Sequence, residues 1–402
     1  MAATTTSNRF PIELLHASVE VRRDYFLGKT IGHPRLERAW STLMDVTTCV
    51  SAPDILILTG PTGVGKTTLG AKLESDVLEQ HRREMTEDLN FLPVVRLSAV
   101  APNQAGFSWK DFHVRLLRLL DETQVRQRTL FTLDPYRALD APRGRVDNFR
   151  PDEALQRAAE NAIRERRTKI VIIDEANHIL LAAKGRRLSE QFEAIKSLSI
   201  ATSATIVLIG TYDLLTILEQ SAQLIRRSQV IHLPRYAWND RDDAQAFRTA
   251  LLSFQRHMPF PVEPDLVSHT SHFYLKSAGC VGILKEWLDK AAEHGLRQNL
   301  ETIDYGYIEG FAHSNKSIRR IYEEALYGER KLLDISVDEL RSYVENETLS
   351  QKRSPEKAKS GGAGRQAVQA AKKKHKPGQR HPVRDPVGIS GELFGLAGHT
   401  HV

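Results

Sequence analysis

The chain has 402 residues, of which 41% are hydrophobic and 26% charged, an ordinary balance for a soluble globular protein of two or three domains. No run of eighteen apolar residues occurs and the opening MAATTTSNRF lacks an apolar signal core, so a cytoplasmic protein with no membrane span is expected. Only two cysteines, Cys49 and Cys280, are present, which argues against a disulfide framework and for reduced thiols.

The net charge is +6, but residues 351–402 hold 11 Lys/Arg against three Asp/Glu, a net of +8 that leaves the first 350 residues at −2. A wholly basic nucleic-acid-binding fold is thereby excluded. Any DNA contact made by the body must come from local patches.

Residues 1–30 are weakly patterned. Residues 31–46, IGHPRLERAWSTLMDV, predict a short helix, with Pro34 suited to its first position and Leu36, Trp40, Leu43 and Val46 at helical spacing. Ile31, with Gly32 and His33, could lie beside an adenine ring or simply form the turn into that helix.

The chain is organised around residues 54–73, DILILTGPTGVGKTTLGAKL. The apolar run 55–58 predicts a buried strand, and a helix pattern begins at Thr67. Between them GPTGVGKT fills the phosphate-loop pattern GxxxxGK(S/T). Glycines let successive N–H groups point inward, and the helix N-terminus adds a positive dipole end. Gly60, Pro61, Thr62, Gly63, Val64, Gly65, Lys66, Thr67 and Thr68 form the expected ATP-binding set. Lys66 can reach the β- and γ-phosphates, and the Thr67 hydroxyl can ligate Mg²⁺.

After a charged helix end, residues 92–100, LPVVRLSAV, predict the second strand. A loop with Asn103, Gln104 and Gly106 leads into a helix over 109–120, whose Phe112, Leu116, Leu119 and Leu120 can share one face. Residues 121–152 are irregular, with arginines at 126, 128, 137, 143, 145 and 150. Such a segment could track a DNA backbone, with Arg126, Arg128 and Arg137 as candidates, or be a solvated surface loop.

A polar helix over 153–167 precedes TKIVIIDEANHIL. Its run 170–173 predicts a buried strand that ends in Asp174 and Glu175. Two acids at the mouth of an apolar strand are costly unless they serve something. Beside Mg·ATP, Asp174 would hold Mg²⁺ through water, and Glu175 would orient and deprotonate an attacking water. His178 is expected to be structural, since no other metal ligand stands at useful spacing.

A helix over 189–199 follows, then a fourth strand over 205–209 that ends near Thr211, a residue placed to sense the γ-phosphate. A helix over 213–224 closes on Ile225, Arg226 and Arg227, and residues 230–233 predict a fifth strand. From Asp240 on, only helices are predicted: 240–257 capped by Asn239, a second opened by Pro264 and ending near Gly279, then 282–294, 303–312, 316–326 and a short one over 335–348. Beyond Ser350 the basic, apolar-poor tail is expected to be disordered, and its closing segment 389–398 regains Leu and Phe as a possible partner-docking end.

Phosphate loop, acid pair, strand-end Thr211, helix-end arginines and a trailing helical domain stand in the order of an AAA+ ATPase, which the chain resembles over roughly residues 30–330. Within that class, IDEANHIL, IKSLSIATSATIVLIGTYDLL and SAQLIRRSQVIHLPRY resemble the transposition-regulator ATPases of the TnsC/TniB group.

The resemblance implies an α/β AAA+ P-loop NTPase with a parallel five-stranded sheet and a small all-helical lid; the disordered basic C-terminal tail, read from composition, lies outside it. The expected divisions are an N-terminal segment 1–50, a nucleotide-binding domain 51–237, a lid 238–334 and a helix with tail 335–402. It also implies a Mg-dependent ATPase that assembles as a ring or helical filament on double-stranded DNA without sequence preference. Such an oligomer links a target-selection protein to a transposase, and hydrolysis resets it. A helicase loader, a replication initiator or a nucleotide-gated DNA-binding scaffold with little hydrolysis are the alternatives. Arg226 and Arg227 match the position of an arginine finger that reaches a neighbouring subunit, with Arg227 slightly preferred. The lid arginine called sensor 2 is missing from SAGCVGILKEW, so Lys285 is the nearest cation that could replace it.

Overall fold

Five short runs of mostly apolar residues line up as one all-parallel sheet in the computed structural model, which describes residues 9–48, 54–101, 107–120, 151–180, 186–216, 218 and 222–352. The strands are β1 Ile55–Thr59, β2 Val94–Ser98, β3 Ile170–Asp174, β4 Thr205–Gly210 and β5 Ser228–His232, in the spatial order β2-β3-β4-β1-β5. Every residue of β1 and β3 is buried, as expected of parallel strands covered on both faces by crossover helices. The expected runs 55–58, 170–173 and 205–209 fall wholly on these strands, while 92–100 extends beyond β2 at both ends and 230–233 runs one residue past β5.

Register decides where chemistry can gather. Thr59 lies beside Gly210 on one side and His232 on the other, while Ser98 lies beside Asp174. The phosphate loop after β1, the acid pair closing β3 and Thr211 after β4 therefore emerge at one edge of the sheet. Ile55 pairs with Ile206 and with Ser228, so the segment entering β5 lies at the opposite edge.

In chain order the leading helices are α1 Val19–Leu27, α2 Pro34–Thr48, α3 Lys66–Gln80, α4 Arg82–Glu87 and α5 Trp109–Leu119. α6 Pro151–Glu165, α7 Arg186–Thr202 and the short α8 Ala222–Arg227 follow before β5. Leu36, Ala39 and Leu43 of α2 with Leu69, Leu73 and Val77 of α3 cover one face of the sheet. Phe112 and Leu116 of α5, Leu155, Ala159 and Ile163 of α6 and Phe192, Ile195 and Leu198 of α7 cover the other.

After β5 the chain turns all-helical, with α9 Arg241–His257, α10 Thr270–Ser277, α11 Val281–Arg297, α12 Tyr305–Glu309 and α13 Asn315–Lys331. Phe247, Leu251, Phe254, Phe273, Leu284, Trp287 and Leu288 form a separate apolar core. Trp287 is fully buried because its Nε1 donates to Ile308 O at 2.7 Å. Phe26 of α1 also sits in this core, and Phe10 N donates to Arg256 O. The N-terminal segment is thus divided: α1 joins the helical region and α2 joins the sheet.

Residues 1–334 form one compact unit and residues 335–402 a second. In the second, α14 Val337–Lys352 exposes Val337, Leu340, Tyr343 and Val344. Cys49, the loop residues Asn103, Gln104 and Gly106, the arginine-rich stretch 121–150 and the tail beyond 352, with its end 389–398, lie outside the described residues. Among the described residues, no helix is long and apolar enough to cross a membrane.

Several element limits differ from expectation, each for a local reason. Asp240, not Asn239, caps α9, because its carboxylate accepts from Asp243 N at 3.0 Å. Pro264 opens no helix: Gln255 Oε1 takes the Leu266 and Val267 N–H groups, and α10 starts only at Thr270. Of the helix expected over 213–224, the described residues show a 3₁₀ turn at Tyr212–Leu215, helical positions at 216 and 218, and α8 from Ala222. On α5 the buried stripe runs through His113 and Leu117, leaving Leu119 46% exposed. The region 303–312 holds only the five residues of α12.

Three histidines are buried, and a fourth, His232, half-buried, as neutral rings. Desolvation holds His33, His113, His232 and His257 at about 4, below the ordinary 6.5. An unfolded chain binds protons at these rings below pH 6.5, while the folded one resists until about pH 4. Stability is therefore complete above pH 6.5 and lost as pH falls through that window. Thermal melts followed by circular dichroism should show a midpoint that drops between pH 6.5 and 4, with a shallower slope in His113→Gln.

Candidate nucleotide-binding site

The loop that follows β1 is shaped by close approaches that only glycine permits. A Cβ at Gly60 would stand 2.2 Å from Leu233 O, on the chain leaving β5. Gly63 and Gly65 have φ of +73° and +106°, the left-handed region that disfavours other residues. Gly65 stands at the N-cap of α3 with no side chain to satisfy the first N–H groups of that helix. The result is a cradle of backbone donors at a helix N-terminus, the chemistry that suits a phosphate.

Lys66 folds back over this cradle, its Nζ donating to Gly60 O at 2.9 Å and Pro61 O at 2.8 Å. Desolvation holds its ammonium below the usual lysine range, against the pull of Glu175, Cys280, Glu324 and Asp174. Pro61 and Val64 are buried under the loop, while Thr62, Thr67 and Thr68 face outward.

Asp174 is 3% exposed and accepts from Thr67 Oγ1 at 3.4 Å and from Glu175 N at 2.9 Å. Arg96 of β2 reaches within 3.9 Å of the Asp174 carboxylate while donating to Glu74 Oε2 at 2.7 Å. Glu175 is exposed, with φ of +52°, a conformation that costs a non-glycine residue roughly 1–3 kcal/mol and aims it away from the strand line. Thr211 stands at the same sheet edge, its hydroxyl donating to Asp213 Oδ2 at 3.3 Å. The Thr67–Asp174 pair is a hard-oxygen donor set that fits Mg²⁺, and the glycine cradle with Lys66 fits a phosphate chain.

On the Gly65 and Thr68 side opens a cavity of about 190 Å³ lined by Ile31, His33, Leu36, Val64, Val281 and Lys285, among others. Ile31 is therefore at a recess of mixed polar and apolar lining beside the phosphate loop, and not only in a turn. The floor is fixed by His33, whose Nδ1 bonds Tyr236 Oη at 3.0 Å and accepts from Leu36 N at 3.3 Å. Lys285 lines the cavity, but its ammonium is committed: it pairs with Asp289, lies 3.5 Å from Leu27 O and stacks 4.7 Å over the Phe26 ring.

The helical region closes directly on the loop. Ile283 N, in the first turn of α11, donates to Gly63 O at 3.2 Å. A Cβ on Gly282 would come within 2.4 Å of the same oxygen. From α13, Glu324 Oε1 accepts from Thr62 Oγ1 at 3.4 Å.

Arg226 and Arg227 lie at the far edge of the sheet, at the end of α8. Both are exposed, but they differ in commitment. Arg227 pairs with Asp54 at 2.9 Å, whereas Arg226 has no ion pair among the described residues. His178 donates from Nδ1 to Ala99 O at 2.9 Å, a bond to the chain leaving β2 that fits a structural role.

Sequence reasoning did not single out Arg96, Asp289 or Glu324. Arg96 sits on a strand where its neighbours alternate as core, and Asp289 could have been found as the i+4 partner of Lys285. No spacing rule links Glu324 to Thr62 across 262 positions.

Sheet, phosphate loop and trailing helices together define an AAA+ P-loop fold, a fold whose loop implies nucleotide binding. Residues 50–218 match the family model described as an AAA domain. No curated protein matches the chain in sequence. Among solved structures, the ADP form of the ORC2 protein of Aeropyrum pernix is similar at 16% identity, covering 83% of this chain and 79% of that one with a TM-score of 0.44. A Walker-type ATPase of Pyrococcus abyssi is similar at 15% identity, covering 77% and 76% with a TM-score of 0.41. Domain III of the Thermotoga maritima replication initiation protein DnaA is similar at 13% identity, covering 75% and 97% with a TM-score of 0.36.

The contact between α11 and the loop leaves no room for a side chain. Gly282→Val should push the two apart and weaken binding of a fluorescent ATP analogue at least tenfold, on the order of the cost of displacing packed backbone. Unchanged affinity by fluorescence titration would show that the loop does not depend on α11.

Proposed function

We propose that this chain is an ATP-driven regulator of DNA transposition that assembles on duplex DNA and links a target-selecting protein to a transposase. The transposition assignment is supported by the stretches GTYDLL and QLIRRSQVIHLPRY. The observation that carries the ATP-driven assembly is the position of Arg226. It is exposed and free of ion pairs among the described residues, at the sheet edge opposite the phosphate loop. Four strand steps of about 3.3 Å separate those edges, which supports a role for Arg226 at another copy's loop rather than at its own.

The roles divide as follows. The backbone of residues 60–68 and Lys66 hold the phosphates, and the recess at Ile31 takes the base. Thr67 and Asp174 hold Mg²⁺, which when bound neutralises phosphate charge. Glu175 orients a water and takes its proton, and its exposure gives that water access. Thr211 senses the terminal phosphate. Arg226, rather than Arg227 with its Asp54 partner, supplies the finger in trans. Lys285, tied to Asp289, holds α11 against the base recess instead of replacing sensor 2. Residues 51–237 act as the engine and 238–334 as the lid. Arg226 completes a neighbour's site only when ATP fills it, so ATP biases the assembled state and hydrolysis loosens it. DNA is held by its phosphates, without sequence preference.

Glu175→Gln should bind ATP and trap the DNA-bound oligomer, with turnover reduced about a hundredfold or more, the scale of losing a general base. Wild-type turnover in a phosphate-release assay would remove that role.

Lys66→Ala and Arg226→Ala should each be inactive alone and recover ATPase activity when mixed, since one kind of interface regains both groups. Arg227→Ala should retain activity without mixing. Failure of every mixture, with both proteins folded, would contradict a shared site. Negative-stain images with ATP, duplex DNA and a transposase would separate this reading from a helicase loader.

A further inference from the structure

Glu324 belongs to the lid helix α13, yet its carboxylate accepts from Thr62 in the phosphate loop. It is also one of the acids facing the Lys66 ammonium. Two further contacts hold α13 on the sheet side. Gly328, one turn on, lies flush against the Tyr212 ring, where a Cβ would come within 2.0 Å. Glu329 pairs at 3.0 Å with Arg235, both largely sheltered. Tyr212 directly follows Thr211 and donates or accepts through its hydroxyl to His232 Nε2 at 2.9 Å. One helix thus touches the loop, the strand-end turn and the chain leaving β5.

The direction of a bound phosphate chain follows from its surroundings. The base recess is on the Gly65 and Thr68 side, and the acid pair and Thr211 lie at the strand ends. The terminal phosphate must then lie toward Thr62, where the Glu324 carboxylate already stands. Two anions cannot share that place without repulsion.

We propose that Glu324 makes the site distinguish ATP from ADP: its carboxylate holds α13 on the phosphate loop when a diphosphate is bound, and a γ-phosphate expels it. Expulsion removes the Thr62 contact and frees α13 to shift against Tyr212. The terminal phosphate would thereby be reported to the lid without a sensor 2 arginine, which the chain lacks at the start of α11. This inference rests on the nucleotide-site reading above and adds a discriminating residue to it.

The test is Glu324→Gln in the full chain, a change of charge at an exposed position with size preserved. Calorimetric titration with Mg²⁺ present should show a non-hydrolysable ATP analogue binding about tenfold tighter than to wild type, with ADP affinity unchanged within about twofold, the scale of one like-charge contact near a surface. In wild type, the analogue but not ADP should raise hydrogen exchange over residues 315–331, and the variant should show that faster exchange with either nucleotide. An unmoved ratio of the two affinities, with both nucleotides bound, would overturn the role of Glu324 alone. Failure of wild type to bind either nucleotide would overturn the nucleotide site and this inference with it.

Discussion

The hydrogen bond from Ile283 N to Gly63 O is the point on which the site depends. It joins the backbone of the phosphate loop to the backbone of the helical region with no side chain between them. Gly282 and Gly63 make that approach possible, since a Cβ on either would collide with the other segment: Gly282 with Gly63 O, and Gly63 with Ile283 Cγ1 at 2.4 Å. A loop held this way cannot change shape alone. Whatever rearranges its amides must move the first turn of α11, and a shift of α11 must be felt at the loop.

The rest of the first unit reinforces that joint. Arg35 at the start of α2 pairs with Asp243 of α9, and Asp243 also accepts from Ala237 N at 2.9 Å. The stretch from Leu27 to His33 passes between α1, which is rooted in the helical core, and α2, which is rooted on the sheet. Its Ile31 and His33 line the recess beside the phosphate loop along with Val281 and Lys285. A ligand seated there would touch both halves and the strap that connects them, so its binding free energy would act on the angle between halves.

Much of this was legible in the residues themselves. Parallel strands buried on both faces must be continuous apolar runs, so Ile55, Val171 and Ile206 announce their strands without any partner in view. The phosphate loop is a local device, and its glycine spacing is the same in sequence and in space. The acid pair was legible because Asp174 is a charge at the end of an apolar run, and the structure buries it beside Thr67. Helix limits were less legible where side chains compete for backbone donors. Gln255 takes two N–H groups after Pro264, and Asp240 outcompetes Asn239 as a cap. Least legible were contacts between distant segments. Arg226 and Arg227 are adjacent and alike, and only the Asp54 partner separates them. Lys285 reads in sequence as the nearest cation to the missing arginine, and its pairing with Asp289 and the Phe26 ring is visible only in space.

The central claim is that the nucleotide site is built jointly by the loop and the helical region. Hydrogen–deuterium exchange of the full chain, with and without Mg·ATP, measures this most directly. Residues 60–68 and the first turn of α11 should gain protection together and over the same range of nucleotide concentration. Protection of the loop with no change over residues 281–285 would mean the two halves act separately, and the account would not stand.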